Sequence, residues 1–523
     1  MSDGRTLARA GLIVTSAFLA SRLLGGVRSV VIGAQFGAGR DLDSFLAAFR
    51  IPDVIFQLVA AGALSSALIP IVAGLRANAE QERAWRVAST VTTIMMAMLL
   101  VLAAVVALAA PVLVPAITSG FPAAQSAQTA ELTRVMLISP IFLALGSVAT
   151  SLLNANGRFG ASAVAPLAYN LAIIGAAVLL APTMGIEGLA IGVVAGSICH
   201  FLVQVAPLRA VGFRFRPGVD LADPDARQAL VLMAPRAIGL GASQLTFLVA
   251  TSLLSGQPAG SLTAFTFAFT LFQIPFGVIG VPIGIVALPS LSTELARGDV
   301  ERYLSLLTRS MRLILFVMIP IAALTIVLRT QVVSAVFDWG RFGVTGVDAT
   351  AIALVVLIVA LPSESLTAML ARGFYADRDT TIPVVAAVIA VAINTSVAIV
   401  TVGTLGVAGV SLGIVLGSWA EAVLLAATLR RRRPTFDLGS IAAAALPIVI
   451  AAAIGAAVAF AALVGLDQLL GGVTGKAGTV IELVLATAAG GFAYLVTSRM
   501  LGIAEVGTLF GLLQSAVRRG ATV

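Results

Sequence analysis

Residues 21–70 read SRLLGGVRSVVIGAQFGAGRDLDSFLAAFRIPDVIFQLVAAGALSSALIP. Two apolar runs occupy this stretch, each long enough for a membrane-crossing helix, and each carries arginine where a bilayer disfavours it. Arg22 and Arg28 lie inside the first run and Arg50 inside the second. A charge near the membrane centre costs roughly 2.5–3.5 kcal/mol on insertion scales, and ionisable residues kept there face a bundle interior or a water-filled cavity. The stretch therefore reads as part of an all-α polytopic membrane protein with an arginine-lined cavity for an anionic ligand.

The rest of the chain agrees. Its 523 residues are 59% hydrophobic and 11% charged, and a mean hydropathy of +1.07 belongs to polytopic membrane proteins rather than large soluble folds. The net charge of +8 comes from basic residues in short loops between apolar runs, a topology signal and not a nucleic-acid footprint. Cys199 and His200 are the single cysteine and histidine, so neither an intrachain disulfide framework nor a metal centre built from them is expected. Packing is the plain reading of both. No phosphate-cradling Gly-Lys-Ser/Thr loop and no catalytic constellation is present, so neither ATP hydrolysis nor any other enzymatic activity is expected. The first apolar run contains Arg22 and Arg28 and lacks a small-residue cleavage site, so it reads as a retained span.

Windows of about 19 residues mark fourteen apolar spans, near 8–35, 42–74, 86–118, 130–153, 159–182, 186–208, 228–255, 260–292, 304–328, 347–371, 381–403, 406–429, 439–465 and 478–501. Alternate connections hold most of the arginines, including Arg76, Arg83, Arg86, Arg209, Arg214, Arg216 and the run Arg430–Arg433, whereas the opposite set holds Arg40, Arg329, Arg341 and Lys476. The positive-inside rule then puts both termini in the cytoplasm, as an even span count requires. Phe49-Arg50-Ile51-Pro52 recurs as Phe272-Gln273-Ile274-Pro275, and Ala67-Leu68-Ile69-Pro70 is echoed by Val286-Ala287-Leu288-Pro289, at offsets of 223 and 219. A shift of six spans implies parallel repeats. The expected organisation is a lobe over 1–212, a second over 213–434, and a third part over 435–523 with the last two spans and a cytoplasmic tail.

Arg22 and Arg28 are six residues apart, about 120° around a helix and roughly 9 Å along it. Gly25 and Gly26 between them allow a bend or a close helix approach, so two guanidinium arms can converge on one pocket. Their planar forks suit a diphosphate. Arg50 is a third candidate for the same ligand, although Asp53 three residues on offers it an internal ion pair. Arg236, after Pro235, is the main intramembrane cation of the second half. Glu364, between Ser363 and Ser365, and Glu421 are lone carboxylates in apolar spans, read either as locally hydrogen-bonded or as sites for a proton or monovalent cation that couples transport. Pro52, Pro70, Pro275, Pro282 and Pro289 release backbone carbonyls within the membrane, as bending helices require.

In this order the motifs resemble the MurJ/MviN lipid II flippases of the multidrug/oligosaccharidyl-lipid/polysaccharide exporter superfamily. They are Ser21-Arg22 with Gly25 and Arg28, Gly37-Ala38-Gly39, Asp43-Ser44-Phe45, Pro52, Pro70, Asn154 with Arg158-Phe159, Ala165-Pro166 with Asn170, Pro275 with Gly277, Leu288-Pro289-Ser290, Gly340-Arg341-Phe342 and Gly373-Phe374-Tyr375. The resemblance implies two six-helix lobes in a V around a cationic cavity, with the last two spans forming a groove for a polyprenyl tail. It implies the cargo, undecaprenyl-diphosphate-linked peptidoglycan precursor, moved from the inner to the outer leaflet of the bacterial cytoplasmic membrane by alternating access. Membrane lipids and cell-wall synthesis enzymes are the other partners it suggests; nucleic acid is not one. Arg22 and Arg28 match the family's first-span arginines, Asp43 an acid near the outer gate, and Ser21 and Thr270 fall on cavity or gate positions. Studied Gram-negative members carry further arginines where this chain has Phe56-Gln57 and Thr270, so its cavity is expected to be less cationic, with Arg50 and Arg236 as candidate compensation. A different polyprenyl-diphosphate glycan as cargo, or a non-transporting cell-wall scaffold, are the alternatives.

The topology has a direct check. Fusions truncated after Arg433 are expected to be fluorescent with a cytoplasmic reporter and inactive with alkaline phosphatase, and fusions after Arg341 to behave oppositely; the reverse pattern would overturn the orientation.

Overall fold

A computed structural model describes residues 20–59, 63–469 and 475–507, with backbone alone at 59, 63–67, 234–243 and 469. The described residues are helical almost throughout, as hydrocarbon demands of a chain that must satisfy its own backbone hydrogen bonds. The first half holds α1 (20–36), α2 (Arg40–Val59), α3 (Ala63–Ala77), α4 (Gln81–Ile117), α5 (Ala123–Met136), α6 (Ser139–Ala155), α7 (Phe159–Leu179), the single turn α8 (Ala181–Met184), α9 (Ile186–Ala210) and α10 (Pro224–Ser255). The second holds α11 (Ser261–Pro275), α12 (Val281–Ala296), α13 (Val300–Val327), α14 (Arg329–Phe337), α15 (Gly343–Leu357), α16 (Leu361–Ala376), α17 (Thr381–Leu405) and α18 (Val407–Arg432), followed by α19 (Leu438–Leu469) and α20 (Lys476–Met500). The chain is an all-α polytopic membrane protein.

Eleven helical segments among the described residues are long and apolar enough to cross a membrane. The other three of the fourteen expected spans fall on α1, on α2 with α3, and on α10, which are interrupted by undescribed positions or broken by polar residues. Apolar side chains such as Leu108 and Val112 of α4 stand 82% and 77% exposed, the lipid-facing surface of a membrane helix. Buried hydroxyls are spent locally: Thr92, Thr129, Thr133 and Thr251 each donate to the carbonyl four residues back, at 2.6–2.8 Å.

The sequence repeat has a packing counterpart. Gly188, Gly192 and Gly196 put one face of α9 against α7, so that a Cβ on Gly196 would come within 2.8 Å of the Tyr169 carbonyl oxygen. Gly409, Gly413 and Gly417, 221 residues on, do the same for α18 against α17, where a Cβ on Gly417 would come within 2.7 Å of the Ala390 carbonyl oxygen. Small residues at every fourth position let membrane helices approach closely. Gly185 and Gly406, again 221 apart, both take positive φ (64° and 56°) just before these helices. Pro275 ends α11 at a π-helical turn, Phe276–Gly280.

Compactness divides the chain into two units, residues Met1–Thr263 with Trp339–Gly343, and Ala264–Asp338 with Val344–Val523. The first unit takes in α10, which packs on α2, α3 and α4. Within the second unit α13 is central: α16 and α19 pack on it, the Tyr494 hydroxyl of α20 donates to the Phe316 carbonyl at 2.6 Å, and Arg312 pairs with Glu505 at 2.7 Å.

In the first unit the extended linker from α9 to α10 lies along the start of α4. Ser89, Thr93 and Thr90 accept from the backbone N–H groups of Arg216, Gly218 and Asp220, each at 3.3 Å. Arg83 then clamps the start of α10, meeting Asp223 and Asp225 at 2.8 Å each and Glu80 at 2.9 Å. The Arg83 hydrogen bond holds the Asp223 carboxyl below its ordinary range. The clamp is therefore complete above the ordinary carboxylate pKa of about 4 and is lost as pH falls through the depressed value. Arg83→Ala is expected to speed amide exchange several-fold over residues 213–223 at pH 7 and to leave α17–α18 unchanged; unaltered exchange in the linker would show that the hydroxyls alone hold it.

Candidate functional site

The intramembrane arginines of the first unit sit in a shared electrostatic neighbourhood. Arg50 lies in the interior of α2, two residues before the buried Pro52. Its guanidinium carbon is 4.9 Å from the centroid of the Phe247 ring of α10, a cation–π distance. Its Nε is buried without a hydrogen-bond partner. Asp53, one turn on, acts on Arg50 by charge and accepts a hydrogen bond from Gln57. Tyr169 of α7 feels both Arg28 of α1 and Asp53. Arg28, Arg50, Asp53 and Tyr169 thus draw α1, α2 and α7 to one polar locus in apolar surroundings. With both arginines charged and the aspartate ionised, that locus carries an excess positive charge.

Arg22 is exposed on α1, and Ser21 before it is half-buried. Among the described residues, a Cβ on Gly25 or Gly26 would meet nothing within 4 Å. Arg236 belongs to the backbone of α10, and its side chain lies outside the described residues. Nothing in the sequence singled out Tyr169 or Phe247, and Gln57 stood out only as a position where the family resemblance expected arginine. Tyr169 had one signal, a phenol among only four tyrosines in 523 residues, placed in an apolar run.

Asp43 acts elsewhere, in the first turn of α2. It is 2% exposed and accepts from the Gly260 N–H at 2.7 Å, the Thr263 N–H at 2.8 Å and the Thr263 hydroxyl at 2.7 Å. This caps the positive end of α11 with a carboxylate supplied from another helix. Backbones crowd around it. The Arg341 N–H donates to the Ala34 carbonyl at 2.8 Å, and Gly37, Gly260 and Gly340 all have positive φ, at 71°, 92° and 57°. A Cβ on Gly37 would come within 2.6 Å of the Arg341 carbonyl oxygen and one on Gly260 within 2.5 Å of that of Ala38. Glycine is required at these positions by both space and conformation.

In the second unit, Glu364 of α16 hydrogen-bonds Ser418 of α18, and its charge acts on Glu421 one turn along. Ser363 and Ser418 hydroxyls are 2.8 Å apart. The two carboxylates that the sequence marked singly are therefore neighbours. Thr270, by contrast, donates to the Thr266 carbonyl one turn back at 2.9 Å. His200 packs against Gly146.

A model of the lipid II flippase MurJ family matches residues 32–473. The chain belongs to that family. A lipid II flippase MurJ of Burkholderia cenocepacia is 31% identical over 434 residues, covering 82% of this chain and 84% of its own length. A probable MurJ of Rhizobium tropici is 29% identical over 520 residues, with 96% of each chain covered. A solved MurJ structure in an inward closed conformation superposes with a TM-score of 0.77 at 21% identity, covering 94% of this chain and 98% of its own. An inward-facing multidrug transporter of the MATE family superposes at 0.63 with 18% identity, over 81% and 95%. These likenesses fix the fold of a multi-pass protein of the bacterial inner membrane. Lipid II flippases are transporters rather than catalysts. Where the resemblance expected arginine, this MurJ-family chain has Phe56 packed on the apolar core and Gln57 on Asp53.

The glycine closure yields a controlled test. Gly37→Ala forces a Cβ into backbone, an overpacking cost of about 1–3 kcal/mol, and is expected to lower the thermal unfolding midpoint by several degrees. Gly25→Ala, with open space around it, is expected to leave the midpoint unchanged or raise it; equal losses for both would refute the closure.

Proposed function

We propose that this chain carries lipid II, the polyprenyl-diphosphate-linked peptidoglycan precursor, from the inner to the outer leaflet, moving it without making or breaking bonds. Family membership supplies the cargo. The observation that carries the mechanism is the excess cation of Arg28 and Arg50 over Asp53 among apolar membrane helices. A diphosphate brings several acceptor oxygens to guanidinium forks that bind such oxygens bidentately, and the unpartnered Nε of Arg50 is a donor waiting for one. Arg22, exposed beside the open face at Gly25 and Gly26, is suited to meet the headgroup first.

Access then alternates. With both termini cytoplasmic, the arginine-rich loops face the compartment where the precursor is made, and the capped, glycine-tight region around Asp43 lies at the outer side as the gate. Pro52 and the π-helical turn after Pro275 give α2 and α11 the local freedom to bend. Glu364 and Glu421, like charges in one apolar setting, disfavour full ionisation of both and are the groups through which a proton or monovalent cation would couple to the cycle.

The experiment is lipid II exposure at the outer leaflet of cells depleted of their own flippase. The parent chain is expected to restore exposure. Arg22→Ala/Arg28→Ala at equal abundance is expected to lose it by roughly tenfold or more, since each charge-assisted hydrogen bond contributes about 1.5–3 kcal/mol. Failure of a correctly inserted parent would remove lipid II as cargo and favour another polyprenyl-diphosphate glycan; an active double variant would remove the arginine mechanism.

A further inference from the structure

At the end of the first unit that carries the arginine-rich loops, α4, α6 and α9 leave between them an apolar groove of about 910 Å³. Met96 and Leu100 line it from α4, Leu145 and Val148 from α6, and Phe201 and Val205 from α9. From Thr92 to Leu100 the groove follows α4 for about 12 Å at 1.5 Å per residue. That is most of one leaflet's share of a hydrocarbon core about 30 Å thick. In the orientation read from the loop arginines, α4 enters the membrane here while α6 and α9 leave it, so the groove opens within the inner leaflet.

Its mouth is cationic. Arg209, at the end of α9, and Arg214, on the linker, line it, and Arg214 is shared with an adjoining polar cavity of about 730 Å³. Arg86 and Arg216 also line that cavity, with Glu82 and Asp220 as its acids. Among the described residues none of these four arginines forms an ion pair. The linker that forms the mouth is fixed in place by the α4 hydroxyls and the Arg83 clamp, and it presents Phe215, 47% exposed, to the same groove. Cations without partners, apolar walls one leaflet deep and a rigid rim between them define a ligand that is itself amphipathic and negative.

We propose that this groove binds an anionic phospholipid of the inner leaflet, one acyl chain lying between α4, α6 and α9 and its phosphate held by Arg209 and Arg214. A soluble phosphate would leave the apolar walls uncovered, and a zwitterionic lipid would leave the arginines uncompensated. The site shares no residue with the Arg28–Arg50 locus and does not depend on which glycolipid that locus carries.

The test is native mass spectrometry of the purified full chain with phosphatidylglycerol or phosphatidylcholine of matched acyl chains. Phosphatidylglycerol adducts are expected to be favoured several-fold. Arg209→Ala/Arg214→Ala abolishes that preference, whereas Arg227→Ala/Arg431→Ala, which removes two exposed arginines elsewhere, retains it. Ala97→Trp, which fills the groove and leaves its charges, reduces adducts of both lipids. The proposal is overturned if the Arg209/Arg214 variant keeps the parent's preference, if Ala97→Trp binds as the parent does, or if lipid II and not phosphatidylglycerol is the species these changes release.

Discussion

A guanidinium held among membrane helices must be compensated, and in the first unit that requirement falls on Arg50. Arginine keeps its charge under all ordinary conditions. The Phe247 ring at 4.9 Å and the nearby charge of Asp53 offset part of its cost, but its Nε has no partner. A buried donor left unsatisfied costs about 1–3 kcal/mol. Arg28 adds a second cation and Tyr169 a hydroxyl, so the locus is short of acceptors. Under the proposed function, phosphate oxygens of the carried lipid are the complement to that donor.

The remaining architecture holds that locus in place. Gly196 lets α9 press against α7 at Tyr169 itself, so the spacing of small residues on one helix positions a polar group on its neighbour. The same device 221 residues later joins α17 to α18, close to where Glu364 and Glu421 meet. At the start of α2, Asp43 caps α11 from a different helix and the left-handed glycines allow backbones to touch. Proline and π-helical breaks sit between these fixed points. Rigid pairs of helices joined through bendable ones are the parts an alternating-access cycle needs.

Much of this was legible from residues alone. Apolar windows gave the all-helical membrane class, and Phe49–Pro52 with Phe272–Pro275 pointed to a repeat whose offset the close-packing glycines share. Individual charges in apolar runs marked Arg28, Arg50, Glu364 and Glu421 because each is costly where it stands, and the family resemblance marked Asp43. Their partners were not legible. Asp43 meets Gly260 and Thr263 across more than 200 residues of chain, Arg83 meets Asp223 across 140, and Phe247 reaches Arg50 from another helix; no local spacing encodes such contacts. The Arg50–Asp53 spacing was informative but incomplete, since it suggested a closed ion pair where the structure adds an aromatic face and leaves a donor over. The polar linker at 213–223 looks like a boundary in sequence, yet Arg83 and three hydroxyls fasten it to α4.

Charge at one locus can be tested by changes of opposite sign. Lipid II binding to the purified chain would be measured for Arg50→Gln and for Asp53→Asn. An anion-binding site with an excess cation predicts weaker binding for the first, by about tenfold per lost charge-assisted contact, and tighter binding for the second. If both changes weaken binding equally, Arg50 and Asp53 serve each other as a structural pair, and the diphosphate is held elsewhere.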